Sequence, residues 1–317
     1  MTRHVLLSSV KDEGPFVLEF VAHHRVLGFD AIHVASNDCS DGTDLLLDAL
    51  AGNGAIKHLR NELTPGERPQ RRAYEKMREA FGTDDADWVM ALDVDEFLFV
   101  DTGTGRVGDL TALAGAKVDV IALSALSFGT SDSESWQPGL VTEQFVRRLP
   151  SDSAANAPVK SLSRGRGRWR GIQNHHPVGY RGQGDITVMR GDGAVMTIAN
   201  DDKIWTHLRN FPPGLIAHDG AWYNHYPVKS IDSFLLRGLR GNGAEPVGDT
   251  TKQRWDEAYW SKFAAARIED RRIIERYGKE LRAEMNRLLS LPGVAEANAD
   301  AEALYAERIA ALDSLDG

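Results

Sequence analysis

Trp88-Val89-Met90-Ala91-Leu92-Asp93-Val94-Asp95-Glu96-Phe97 is an apolar run that ends in acids. Trp88 to Leu92 shows no polar alternation, which predicts a strand buried on both faces, as in a parallel sheet covered by helices. Ligands of open parallel sheets bind outside the carboxyl ends of the strands, and Asp93, Asp95 and Glu96 fall there. Two carboxylates two residues apart can share a hard divalent cation, directly or through water, and Mg2+ or Mn2+ suits such oxygen donors. An isolated Asp-x-Asp is a common tripeptide that more often caps a helix or faces solvent at a strand end, so the flanking sequence decides its weight.

Upstream, His4 to Val10 reads as a buried strand, and Gly14-Pro15 opens a helix whose Val17, Phe20, Val21, His24 and Leu27 share a face before Gly28 stops it. Ala31 to Ala35 is a second strand, Asn37 to Gly42 a polar turn, and Thr43 to Leu50 a short helix that Asp41 can cap. Ala55 to Leu59 reads as a third strand and Gln70 to Phe81 as a helix. Polar clusters stand at three strand ends: Lys11 to Gly14, Asn37 to Thr43, and Asp93 to Glu96.

Downstream, Val118 to Leu126 is expected as a core strand and Leu140 to Arg148 as another. Ser151 to Asp202, rich in Gly, Arg and Asn, predicts short antiparallel strands and loops; from Asp256 the pattern is helical to the end, with a break at Pro292-Gly293. The expected fold is α/β: a mostly parallel, Rossmann-like sheet flanked by helices, an irregular second half and a helical C-terminal tail.

Bulk properties narrow the function. With 317 residues and 42% hydrophobic content the chain can bury a sizeable core. A formal charge of -9 argues against nucleic acid as the main partner, since a phosphate backbone is held by excess Lys and Arg. The single cysteine, Cys39, excludes an internal disulfide framework or a cysteine-rich zinc site. No segment approaches the ~20 apolar residues of a membrane span, and the N-terminus is too briefly apolar for a signal peptide. A cytoplasmic location is expected, with peripheral membrane contact left open.

Lys11-Asp12-Glu13-Gly14, Glu19, His23-His24-Arg25, Leu27-Gly28-Phe29-Asp30 and Ser36-Asn37-Asp38-Cys39-Ser40-Asp41-Gly42-Thr43 together resemble the opening of family 2-like and family 92-like glycosyltransferases of GT-A fold. Gln70, Ala73-Tyr74, Trp88 and Asp93-Val94-Asp95-Glu96-Phe97 continue the resemblance in order. So do Phe128-Gly129, Lys160-Ser161, His176-Pro177, Asn224-His225-Tyr226, Lys229-Ser230, Phe234 and Arg237-Gly238. The likeness spans roughly residues 4 to 240 and divides the chain into a glycosyltransferase domain (1–240) and a helical extension (241–317). Within the first, about 1–100 would bind nucleotide and 101–240 acceptor.

The resemblance implies a metal-dependent hexosyltransferase of polysaccharide biosynthesis. Its donor would be a nucleotide sugar, often a uridine diphosphate sugar, and its acceptor a glycan or lipid-linked hydroxyl. Mn2+ or Mg2+ would be held by Asp95, Asp93 and a histidine, for which His225 is the first candidate and His176 the second. Asp38 and Asp41 would lie near base and ribose. Lys11, Glu13, Asp93, Lys160, Lys229 and Arg237 complete the expected donor site. Where relatives have a small Ser-Gly-type segment after Phe128-Gly129, this chain has Thr130-Ser131-Asp132-Ser133-Glu134-Ser135, which leaves Asp132, Glu134 and Glu96 as alternative catalytic bases.

Outside that pattern, Arg164-Gly165-Arg166-Gly167-Arg168-Trp169-Arg170 reads either as an anion site or as a solvated hairpin. Trp205, Trp222, Tyr223 and Tyr226 read as an acceptor wall or as core. An Asp-nucleophile phosphohydrolase would want Thr or Val where Phe97 stands, and a sugar-nucleotide pyrophosphorylase a glycine-rich first loop that Lys11-Asp12-Glu13-Gly14 is not. A catalytically silent carbohydrate- or nucleotide-binding protein of the same fold is the other alternative.

Overall fold

Alternating apolar residues in the first strands build two packed faces. In the computed structural model, which describes residues 2–201, 203–240, 243–247 and 256–313, β1 (His4–Val10) leads to α1 (Gly14–Val26), β2 (Ala31–Ser36) to α2 (Thr43–Gly52), and β3 (Lys57–Arg60) to α3 (Pro69–Phe81). β4 (Trp88–Ala91) joins β1 on the side away from β2, so β3, β2, β1 and β4 run parallel. Successive side chains of a strand face opposite ways. Leu6, Ile32, Val34 and Met90 therefore share a core with Phe20 of α1 and Leu46 of α2. Val5, Leu7, Ala35, Val89 and Ala91 pack with Ala73, Tyr74 and Met77 of α3.

The chain turns back after β4 into β5 (Glu96–Val100), followed by α4 (Val107–Ala114) and β6 (Val120–Ser127). After α5 (Val141–Gln144) and β7 (Arg147–Arg148), β8 (Val159–Arg164) inserts antiparallel between β4 and β6. β9 (Trp169–Ile172) and β10 (Pro177–Tyr180) form a separate hairpin, and β11 (Ile186–Arg190) with β12 (Val195–Ile198) extends the sheet beyond β6. Past α6 (Ile204–Leu208), β13 (Ala221–His225) pairs antiparallel with β5 and parallel with β6 before α7 (Ile231–Arg240). The end of the chain comprises α8 (Glu257–Ala264), the two-residue β14 (Ile268–Glu269), α9 (Arg272–Leu289) and α10 (Val294–Asp313). Tyr277 and Leu281 of α9 and Val294 and Tyr305 of α10 are buried in the same core as Phe20. The fold is α/β, with a mainly parallel central sheet flanked by helices.

Two sequence expectations need correction. Leu140 to Arg148 is not one strand: Val141 and Phe145, four residues apart, turn to the core on the helical period, and only Arg147–Arg148 are extended. The buried Glu19 carboxylate fixes that helical turn by accepting the N–H groups of Val141 (2.6 Å) and Thr142 (3.1 Å) and the Thr142 hydroxyl (2.6 Å). β3 begins at Lys57 rather than Ala55, because Ala55 and Ile56 are drawn into the core ahead of it. No helix of the described residues is long and apolar enough to cross a membrane.

Complete burial pushes the Glu19 carboxyl up to about 7, against the three hydrogen bonds it accepts. The folded state thus retains a proton that the unfolded chain releases near pH 4.5, so stability falls as pH rises from about 4.5 to 7 and levels off above. Denaturant unfolding of wild type against Glu19→Gln should show the difference shifting toward the variant across that window, by on the order of 3 kcal/mol. A pH-independent difference would contradict this.

Candidate active site

The acidic tetrapeptide is a turn. Glu96 donates its backbone N–H to the Asp93 carbonyl (2.9 Å), and the Glu96 carboxylate accepts the Asp93 N–H (2.9 Å), so the chain reverses between β4 and β5. Register then selects the histidine: in the β5–β13 ladder His225 stands opposite Glu96, and the Asp95 carbonyl accepts the Tyr226 N–H (2.8 Å). His225 Nε2 consequently lies 3.9 Å from Asp95 Oδ2.

Lys160, at the start of β8, is fully buried under this turn. Its ammonium lies 2.6 Å from Glu96 Oε2, 3.1 Å from Asp93 Oδ2 and 2.5 Å from Asn174 Oδ1. Asp93 further accepts from Gln70 Nε2 and Asn174 Nδ2, each at 3.0 Å. Burial opposes ionisation of Asp93, yet Lys160 holds its carboxyl below the usual range. Glu96 is pulled both ways: burial and the neighbouring Asp93 and Asp95 push its carboxyl up, and the Lys160 ammonium at 2.6 Å favours the carboxylate.

On the opposite side of Asp95 lies a cationic cleft between the β1 end, α7 and α10, lined among others by Asp12, Glu13, Lys229, Arg237, Arg240 and Arg308. Arg237 reaches Asp95 Oδ2 at 3.1 Å, Arg240 pairs with Glu13, and Arg308 lies 3.3 Å from Asp12. Lys229 stands 4.4 Å from the Phe16 ring centroid and 3.9 Å from Glu13. Burial would raise the Asp95 carboxyl, but Arg237, His225, Lys229 and Arg240 hold it well below the ordinary carboxylate range.

Most of the expected donor and metal residues thus converge. Asp93, Asp95, Glu96, Lys160 and His225 form one contact network with Arg237; Glu13 and Lys229 line the adjoining cleft; and the Lys11 carbonyl accepts from Arg240 (2.9 Å). Asp38 is exposed on the loop after β2. Asp41 is fully buried, both oxygens engaged by the Thr43 N–H and hydroxyl and by the Gly14 N–H, which makes it a brace between α1 and α2. Asp132 and Glu134 are exposed on the loop after β6, Asp132 paired with Arg147. His176 directly precedes β10, its Nδ1 donating to the Pro177 carbonyl at 3.0 Å, and lines a separate cavity with Arg170 and Trp205. Asn174, Arg240 and Arg308 were not expected, because their partners Asp93, Glu13 and Asp12 are 81, 227 and 296 residues distant in sequence.

The aromatic and basic candidates divide. Trp222, Tyr223 and Tyr226 are core residues, whereas Trp205 is 51% exposed. Within the Arg164 to Arg170 run, Arg164 stacks on Trp88 (4.5 Å), Arg166 pairs with Asp87 (2.6 Å) and Arg168 lies 3.4 Å from Asp119, leaving Arg170 open.

Asp95, Glu96 and His225 bring ligand atoms within 4.8 Å of one another, the one such His/Asp/Glu grouping among the described residues. The set fits a divalent cation. His225 Nδ1 is buried without a partner, and burial lowers the imidazole to about 4, so it is neutral and keeps a lone pair at physiological pH.

Comparison with known proteins adds no family: no family model and no curated protein matches the sequence. Among solved structures the chain is similar to S. aureus TarS 1-349 in complex with UDP, at 12% identity and a TM-score of 0.37 over 99% of this chain and 92% of that one. It is similar also to the mannosyltransferase PcManGT from Pyrobaculum calidifontis in complex with GDP-Man and Mn2+, at 13% identity and a TM-score of 0.32 over 99% and 79% of the two chains. A longer TarS chain, of which this one spans 54%, matches at 11% identity and a TM-score of 0.38. Likenesses of this size assign the chain neither a family nor an activity.

The buried ammonium yields a stability prediction. Lys160→Met strands two carboxylates and should cost about 3–5 kcal/mol in denaturant unfolding, part of it recovered by adding Glu96→Gln. A loss under about 1 kcal/mol would remove Lys160 from its central place.

Proposed function

We propose that this chain is a glycosyltransferase that moves a sugar from a nucleoside diphosphate donor, a uridine diphosphate sugar by preference, to a hydroxyl of a glycan or lipid-linked acceptor. The observation that carries the reading is the adjacency of two unlike charge sites at the carboxyl edge of the parallel strands: a carboxylate–histidine group at Asp95, Glu96 and His225, and a cationic cleft at Lys229, Arg237 and Arg240. A nucleotide sugar brings about two negative charges and a divalent metal two positive ones, so the pair enters a buried, internally balanced cluster with little net charge.

Asp95, Glu96 and His225 would hold Mn2+ or Mg2+, with Asp93 beside them. Bound there, the metal would supply neutralisation of the diphosphate on binding and departure. Arg237 now pairs with Asp95; turned to phosphate, its guanidinium would join Lys229 and Arg240 in gripping the leaving group. Lys160 and Asn174 keep the Asp93 carboxylate fixed. In the transfer the bond between the anomeric carbon and the diphosphate oxygen breaks, the acceptor oxygen bonds to that carbon, and the acceptor proton passes to a carboxylate. With Glu96 given to the metal and held by Lys160 and the Asp93 N–H, Asp132 or Glu134, exposed on the loop after β6, would take the acceptor proton.

Thermal-shift and calorimetric titration with UDP-sugars and Mn2+ tests the reading. Wild type should bind only with metal and release UDP on turnover; Asp95→Ala should lose both by about 100-fold or more, and His225→Ala should weaken metal-dependent binding at least about tenfold. No metal-dependent binding of any nucleotide sugar, or full activity in Asp95→Ala, overturns it.

A further inference from the structure

A second cavity, of about 650 Å³, opens between the β9–β10 hairpin and α6. Its size is that of a small-ligand site. Trp205, 51% exposed, lines it without a ring partner among the described residues, and Tyr180, tilted against the buried Trp169 with ring centroids 4.8 Å apart, lines it too. A flat ring face suits the apolar face of a sugar.

The cavity is also cationic. Arg170 and Arg209 line it, both exposed, and neither guanidinium has an acidic partner among the described residues, although every other arginine of the Arg164 to Arg170 run has a brace. Arg170 is nevertheless held: the Arg78 guanidinium donates to its carbonyl, and Gly179, at φ +65°, has no side chain where a Cβ would strike the Arg170 side chain. Gln173, Asn200 and Asp201 supply hydrogen-bonding groups at the rim, with Asp201 the lining acid.

Position ties the cavity to the carboxylate cluster. Gln173 precedes Asn174, which holds Asp93. The Arg209 carbonyl accepts the N–H of Val159, the residue before Lys160. The cavity therefore borders the start of β8, the strand that carries Lys160.

We propose that this cavity is an acceptor subsite for a saccharide bearing a carboxylate or phosphate group, with Trp205 as the stacking platform and Arg170 and Arg209 as the anion clamp. The inference rests on the glycosyl-transfer reading above. It names the acceptor class: an anionic glycan, either a uronic acid polymer or a phosphorylated one.

Binding of an oligoglucuronate, a phosphorylated gluco-oligosaccharide and the neutral gluco-oligosaccharide of equal length is measured on the whole protein by calorimetry. At least one anionic ligand should bind ten or more times tighter than the neutral one, and which of them does identifies the anion. Arg170→Ala with Arg209→Ala should erase that preference, and Trp205→Ala should weaken anionic binding about tenfold. Equal binding of neutral and anionic ligands, no binding by any of the three at millimolar concentration, or variants that bind like wild type would each overturn the proposal. UDP binding with Mn2+ is measured on the same samples and should be unchanged in the double variant and in Trp205→Ala. Failure of the donor reading registers in that measurement, and failure of the acceptor proposal in the saccharide titrations.

Discussion

The ammonium of Lys160, enclosed between Asp93 and Glu96, is the interaction on which the site depends. A buried cation needs close anionic partners, and buried carboxylates need the cation in return. This mutual requirement ties β8 to the turn between β4 and β5, and the turn in turn sets the register of β5 against β13. His225 arrives beside Asp95 through that register alone. Arg237 on α7 closes the remaining side of Asp95. Three separate stretches of chain, β8, β13 and α7, are thereby fixed around one acidic tetrapeptide.

The parallel half of the sheet was legible because β1, β2 and β4 are short, largely apolar runs punctuated by Gly and Pro. His4–Val10 and the helix behind Gly14-Pro15 follow directly from that local chemistry, and Gly28, at φ +88°, ends α1 as a helix-stopping glycine does. The Asp-x-Asp position was legible for the same reason. β5 and β13 were not, since Glu96 to Val100 and Ala221 to His225 are extended through pairing with each other across more than a hundred residues. Local pattern carries no trace of such a partner. The helical turn at Val141 was hidden likewise: it depends on the carboxylate of Glu19, in α1.

Residue type gave less than residue position. Asp41 reads like a ligand-binding acid from its polar turn, yet its oxygens are consumed by local amide and hydroxyl groups. Trp222, Tyr223 and Tyr226 look like Trp205 in sequence but fill the core between β5, β6 and the C-terminal helices, where Trp222 lies under Arg272 at 4.3 Å. The helical end of the chain reads as a cover for the sheet, and it also supplies Arg308 and Tyr305 to the cationic cleft. That contribution could not be read from spacing, because α10 reaches the end of β1 only through its packing on α1 and α2.

The central claim, that Asp95 and His225 with Glu96 form a metal centre serving a nucleoside diphosphate, is tested most directly by anomalous diffraction from crystals soaked in Mn2+ and UDP. The account predicts one strong manganese peak among the Asp95, Glu96 and His225 side chains, with the diphosphate between it and Lys229, Arg237 and Arg240. A manganese peak bound elsewhere, or none at saturating Mn2+ and UDP, would contradict it.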